Sequence, residues 1–418
     1  MTEGMPQTRA GRRALAFILA TVFIDMLGFG LVIPVLPMMV AELSGRPLSA
    51  ATALGGWIIM GFAVAQFLFA PLLGNLSDRF GRRPVLLLSM AGHGTSYLIA
   101  AAATGIPALL AARILAGATG ASYATAYAYI ADVTPPERRA QEFGLIGVAF
   151  GLGFIFGPAF GGILGAADHR LPFLAAALLC ALNFLLGLFV LPESLPAARR
   201  RPFVLARANP FGFLGQLRGL GPTLTRLALV LFLWSLALQA LHGIWSYVAA
   251  WRYGWSPFEV GVSLAAVGVA AVAVNGLLVR RAVARFGEGT TVRIGLSAGL
   301  LAFALYALAD RAALAFVAIA VGALGGLIVP AMQALMTRLA PADAQGALQG
   351  GVSALTSLTI VIGPPMFAQV FAHFTAPARA VPLGGAPFVL AFVLAGLALL
   401  LFLATETPGR RPSPRPAG

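Results

Sequence analysis

The chain has 418 residues, 59% hydrophobic and only 10% charged, with a mean hydropathy of +0.90; soluble domains carry about 25% charged residues, so a water-soluble fold is excluded. The net charge is +14, and all 28 basic residues are arginine. They lie in short stretches between apolar segments and form no basic face with interleaved aromatics, which argues for a membrane and against a nucleic acid partner.

A helix crosses the hydrocarbon core with about 20 apolar residues. Twelve such segments are predicted near 14–38, 51–77, 84–103, 105–131, 141–164, 171–192, 227–250, 257–279, 291–309, 312–337, 346–373 and 384–405. They are numbered here as spans 1 to 12, an all-helical, multi-pass integral membrane fold. Span 1 follows Arg9, Arg12 and Arg13 as a signal peptide does, but it is too long and carries Asp25, so it reads as retained. The single cysteine, Cys180 in span 6, allows no disulfide within the chain and no cysteine-based metal site. No cofactor and no metal are expected.

Arginines fix an orientation. One side of the twelve spans collects 22 of them and the other side five, Arg46, Arg170, Arg252, Arg311 and Arg379, with Arg113 inside span 4. The positive-inside rule therefore predicts that both termini and the loop at 193–226 are cytoplasmic. The absence of lysine beside abundant Ala, Gly and Pro fits a GC-rich bacterial genome and hence a bacterial inner membrane.

Four landmarks recur at an offset of 206 residues: Gly55 with Gly261, Phe80-Gly81 with Phe286-Gly287, Pro135 with Pro341, and Gly157-Pro158 with Gly363-Pro364. The chain is thus predicted to be a duplicated six-helix unit, with an N-terminal half at 1–192, a linker at 193–226, a C-terminal half at 227–406 and a disordered tail at 407–418. Two parallel halves around a pseudo-twofold axis along the membrane normal enclose a central cavity.

Between spans 2 and 3 the chain reads GNLSDRFGRRP, Gly74 to Pro84, which resembles the signature loop of the major facilitator superfamily. Gly74 and Gly81 permit a tight turn, Arg79, Arg82 and Arg83 suit an anionic surface, and Asp78 suits the positive N-terminal end of a helix. The resemblance implies that this helix is span 11. Asp132, in ADVTPPERR at the end of span 4, is expected to pair with Arg82 and close a latch on the outward-facing state. The second half has Arg280, Ala284 and Arg285 where the first has Gly74, Asp78 and Arg79, so the latch is expected on one side only.

Span 5 contains GFIFGPAFGG, with Gly153, Gly157, Pro158, Gly161 and Gly162, similar to the motif of the antiporter branch of that superfamily. Small residues let helices approach and proline frees a backbone bond, so the segment is expected to form a gate between the halves.

Asp25 is the one carboxylate well inside an apolar span, and burying an ion there is costly enough to mark function. A carboxylate that gains a proton on the acidic side and loses it to the cytoplasm couples transport to the gradient. Arg113, in RILAGATGA, matches the family's buried arginine, and its expected partner is Asp25 or bound substrate. It cannot release its own proton.

Weaker candidates for substrate contact are Gln66, Tyr123, Gln239, His242, Trp245, Asn275 and Gln333, with Phe232, Trp234 and Met332 as apolar wall. His93 is expected to be structural, His169 and His373 peripheral, and Trp251 and Trp255 part of an interfacial aromatic belt.

IDMLGFGLVIPVLP in span 1, LPES after span 6 and WSPFEVGVSLA into span 8 bring the chain closest to the tetracycline exporters among twelve-span drug/proton antiporters. The resemblance implies export of small amphipathic molecules in exchange for protons by a monomer in the lipid bilayer, without enzymatic activity. It departs at spans 8 and 9, which lack the His and Asp that many tetracycline exporters use. The second expectation is a metabolite transporter, either proton-coupled or gradient-independent.

Overall fold

A computed structural model of the chain describes residues 9–120, 122–204, 221–341, 344–377 and 380–406. The tail at 407–418 and residues 205–220 of the linker lie outside the described residues.

Every described element is helical. Span 1 is Arg9–Val32, interrupted at 33–35, where Pro34 and then Pro37 cannot continue the ladder, and followed by the short helix Leu36–Ser44. Spans 2 and 3 are Leu48–Phe80 and Arg82–Ala101, separated only by Gly81 at φ +110°. Span 4 is broken into Ile106–Ala118 and Ser122–Val133, and spans 5 and 6 are Pro136–Ala167 and Leu171–Val190.

Span 7, Pro222–Tyr253, begins five residues before its predicted start. Spans 8 and 9 form one helical run, Pro257–Leu308, of 52 residues. It contains a π-helical turn at Val274–Leu278 and is bent at Gly287, whose φ is +74°. Spans 10, 11 and 12 are Ala312–Leu339, Gln345–Phe374 and Ala386–Glu406. Dividing the long run at Gly287 and joining the two pieces of span 4 gives twelve spans among the described residues.

Packing repeats with the sequence. Span 1 packs on span 5 as span 7 packs on span 11, span 3 on span 6 as span 9 on span 12, and span 1 on span 6 as span 7 on span 12. The two halves meet along spans 5 and 8 and, in the equivalent pair, along spans 2 and 11. The largest buried apolar cluster lies wholly between Leu224 and Phe402, while Ala14 to Leu191 supply separate clusters.

The outer face inverts the soluble pattern. Leu178, Leu182, Leu185, Leu186 and Phe189 of span 6 are all exposed, a continuous apolar strip that only lipid can cover without cost. The protein is a multi-pass membrane protein.

Contacts between the halves are tight towards the end opposite the arginines. A methyl group at Gly162 would come within 2.6 Å of the Pro257 carbonyl oxygen and 2.9 Å of Phe258 Cα. One at Gly56 would come within 2.6 Å of Ala368 Cβ. The seam between spans 5 and 8 continues through Gly268 against Ile155 to Gly151 against Val272, and there it ends. Nearer the arginine-rich end, methyl groups at Gly144, Gly147 and Gly276 would meet nothing within 4 Å. The halves therefore splay apart at the arginine-rich end and are closed at the other.

Trp255 departs from the expected aromatic belt. It is buried against Trp245, Tyr253 and Phe316 inside the second half, because its ring completes an aromatic cluster at the closed end.

Candidate functional site

The splayed halves leave a cavity of about 420 Å3 between spans 2, 4 and 11, lined by Gln66, Phe67, Pro71, Tyr123, Ser353 and Ser357 among others. Ligand pockets run to about 300–1,000 Å3. Gln66, Gly120 and Tyr123 also line a deeper cavity in the first half, whose walls carry Asp25, His93, Tyr97, Arg113 and Ser122. Phe29, Phe62 and Arg113 continue into a space reaching His242 and Tyr247, and His242 lines a further cavity with Trp245 and Tyr306. The break in span 4 opens this route, since the helix is interrupted beside Gly120 where Gln66 approaches.

Asp25 sits at the deep end. Its side chain is 7% exposed, and Oδ1 is buried without a hydrogen bond. The titratable neighbour is not the expected one: His93 Nδ1 stands 3.9 Å from Oδ1. Arg113 instead lies over the rings of Tyr97 and Phe173, at 5.3 and 6.0 Å, and donates to Ser96 Oγ at 3.4 Å. Its Nε is buried without a partner. The guanidinium is held by aromatic faces, which attract cations without neutralising them, so it remains a fixed positive charge on the cavity wall. His93, expected to be structural, stands on the cavity wall instead; a single histidine in an apolar helix gives no sign of what faces it.

The other polar candidates divide. Gln66, Tyr123, His242 and Trp245 line the cavities. Tyr123 has its hydroxyl 3.2 Å from that of Tyr127, and Trp245 donates to Ser263 Oγ at 2.9 Å. Gln239, Asn275 and Gln333 do not line these cavities. Gln239 is buried beside Thr359 and Gly363, and Asn275 donates to the Ala271 carbonyl within its own helix at 2.9 Å. Gln333 is exposed.

At the arginine-rich end Arg82 bridges two carboxylates, Asp78 at 2.7 Å and Asp132 at 3.0 Å. The pair with Asp132 is formed within the first half while the halves are splayed at this end, so its presence is not confined to the outward-facing state that it was expected to latch. Asp78 is engaged by Arg82, and among the described residues no hydrogen bond or ion pair joins it to span 11, in keeping with the splayed halves. Only Gly81 serves the turn; Gly74 is inside the helix and faces open space. Arg79 lies 5.0 Å over the Phe80 ring, and Arg83 donates to the Leu188 carbonyl at 2.7 Å.

Two features here were not foreseen. Glu193, in the LPES segment, accepts the backbone N–H groups of Arg82 and Arg83 at 2.8 and 3.3 Å and so caps the start of span 3. In the second half Arg338 pairs with Glu288 at 3.2 Å. The ion pair is thus not one-sided: 288 and 338 stand 206 positions after 82 and 132, with the signs exchanged. Comparison at 280, 284 and 285 alone could not reveal it.

The glycines of span 5 serve two partners. Methyl groups at Gly153, Gly157 and Gly161, on one helix face, would strike span 1 at Met26, Gly30 and Leu31, whereas Gly162 and Pro158 face Pro257 and Gly261 of span 8. One helix therefore couples the Asp25-bearing span to the opposite half.

Comparison with known proteins agrees with this geometry. The model of the Major Facilitator Superfamily matches residues 18–312 and 252–418. The chain is 42% identical over 359 residues to the class C tetracycline resistance protein of Escherichia coli, covering 86% of this chain and 90% of that protein. It is 36% identical over 367 residues to the class G protein of Vibrio anguillarum, covering 86% and 91%. Among solved structures it resembles the human organic anion transporter MFSD10, with a TM-score of 0.70 and 26% identity over 95% of this chain and 100% of that one.

Proposed function

Because this chain belongs to the major facilitator superfamily, a family of transporters, we propose that it is a proton-coupled antiporter exporting small amphipathic drugs of the tetracycline kind. Its similarity to tetracycline resistance proteins over most of its length supports the substrate class. The observation that carries the coupling is Asp25, a buried carboxyl with an unpaired oxygen at the deep end of a cavity continuous with the opening between the halves.

In this reading the protein works as a monomer in a bacterial inner membrane, with the arginine-rich end and both termini in the cytoplasm, in keeping with the positive-inside rule. The N-terminal half at 1–192 and the C-terminal half from 227 rock about the seams of spans 5 and 8 and of spans 2 and 11. Drug enters from the cytoplasm towards Asp25 and Arg113, with Gln66, Tyr123, His242 and Trp245 along the route. Proton and drug exclude each other at Asp25, so each binding event expels the other ligand on opposite sides of the membrane. The Arg82 cluster and the span 5 glycines govern closure.

The test is reconstitution into liposomes with an acidic interior, following luminal pH as tetracycline is added. Proton efflux triggered by drug and absent in Asp25→Asn is expected. Gradient-independent flux of a metabolite with no response to drug would replace this reading.

A further inference from the structure

We infer that His93 is the second half of the proton site, so that the proton exchanged in each cycle is shared by the Asp25 carboxylate and the His93 imidazole. This inference rests on the antiport reading above.

The placement is specific. Imidazole Nδ1 and carboxylate Oδ1 face each other at 3.9 Å, with the side chains 16% and 7% exposed. The gap is longer than a hydrogen bond and shorter than a water-filled separation. Oδ1 has no other partner. Both groups line the cavity, so a proton arriving through it meets them together. A neutral imidazole carries one N–H and one bare nitrogen, so a small rotation of either side chain lets Nδ1 and Oδ1 hold one proton between them.

Other groups around the pair set its charge. Arg113 stands on the same wall from span 4, with Tyr97 from span 3, Ser122 and Tyr123 from the second piece of span 4, and Cys180 from span 6. Among these described neighbours Arg113 is the fixed cation, and it opposes a second proton on the pair. A single proton therefore enters from water, rests between carboxylate and ring, and returns to water when drug displaces it, with no other bond made or broken. Two groups that interact in this way titrate as a unit.

The experiment counts protons released when tetracycline binds the full-length protein in detergent, across about pH 5–8, where imidazole titrates. Relative to wild type, His93→Gln, which keeps a polar side chain that does not titrate, is expected to move the midpoint of the release profile by about one pH unit or more. A wild-type midpoint in His93→Gln overturns the inference. Independently, nitrogen-15 NMR of histidine-labelled protein follows the His93 ring, assigned by replacing His169, His242 and His373 in turn. Its midpoint is expected to differ by about one pH unit or more between wild type and Asp25→Asn, and equal midpoints overturn the inference. The NMR comparison needs no folded His93 variant and no drug. Wild-type protein that releases no proton on tetracycline addition would sink the antiport reading, while the NMR arm still decides the pairing.

Discussion

Glu288 and Arg338 form a 3.2 Å ion pair that repeats, with the charges exchanged, the 3.0 Å pair of Arg82 and Asp132 lying 206 positions earlier. The first member of each pair follows a glycine in the left-handed region, Gly81 at φ +110° and Gly287 at +74°. The second closes the equivalent span, 4 or 10. Duplication has kept the joint and reversed its polarity, which leaves the geometry intact because an ion pair is indifferent to which side carries the cation.

The charge-swapped pair gives a direct test. Arg338→Glu sets two carboxylates against each other, while adding Glu288→Arg restores the pair in the first half's polarity. Arg338 is 63% exposed, so the interaction is worth at most about 1 kcal/mol. Drug export is expected to slow a few-fold in the single variant and to recover in the double variant. A double variant as slow as the single would deny the pair any part in closure.

The span 5 glycines make a sharper prediction. A methyl at Gly157 would stand 2.8 Å from Gly30 Cα, backbone against backbone, with no flexible side chain to yield. Overpacking of this kind costs about 1–3 kcal/mol. Gly157→Ala is expected to reduce export at least about tenfold, a factor that 1.4 kcal/mol represents. Gly144→Ala, on the same helix with open space around it, is expected to leave export unchanged. Equal activity in the two variants, measured at matched membrane abundance, would show that the close approach is not needed for movement.

Much of this architecture was legible in the sequence. The spans, the offset of 206 and the identity of Asp25 follow from hydropathy, spacing and the cost of burying charge, which are local properties. The partners were not legible. His93 opposite Asp25, aromatic rings beneath Arg113 and Glu193 on the amides of Arg82 and Arg83 all join residues distant in sequence, and no periodicity encodes which faces of two helices meet. The polar residues from Gly74 to Pro84 mimic a loop in sequence, whereas the helix runs on to Phe80 before the turn at Gly81.

Arg113 can be tested by its shape. A guanidinium stacks on Tyr97 and Phe173 as a plane, and an ammonium at the same place keeps the charge but loses the stacking. Desolvated cation–π contacts are worth about 2 kcal/mol. Arg113→Lys is therefore expected to weaken tetracycline binding about tenfold or more, read by fluorescence titration of the purified protein. Undiminished affinity would place Arg113 outside the drug route.

Cross-linking tests which end is open. Cys180 is the only cysteine and is buried, so Cys180→Ser gives a clean background. A methyl at Gly151 would lie 3.6 Å from Val272 Cγ2, at the last contact of the seam between spans 5 and 8. Val272 Cβ lies one bond further on, beyond 4 Å and close to the roughly 3.5–4.5 Å between Cβ atoms that a disulfide needs, so Gly151→Cys with Val272→Cys is expected to oxidise in resting membranes. One turn nearer the arginines, Gly147 and Gly276 have open space around them, and cysteines there are expected to bridge only when the halves close at that end. Tetracycline on the cytoplasmic side should then speed that second cross-link and an acidic outer compartment should slow it, since drug carries the protein to the outward-facing state and a proton taken up outside carries it back. A bridge at 147 and 276 that forms as fast as the first, with no gradient imposed, would mean that the splayed arrangement is not the resting one.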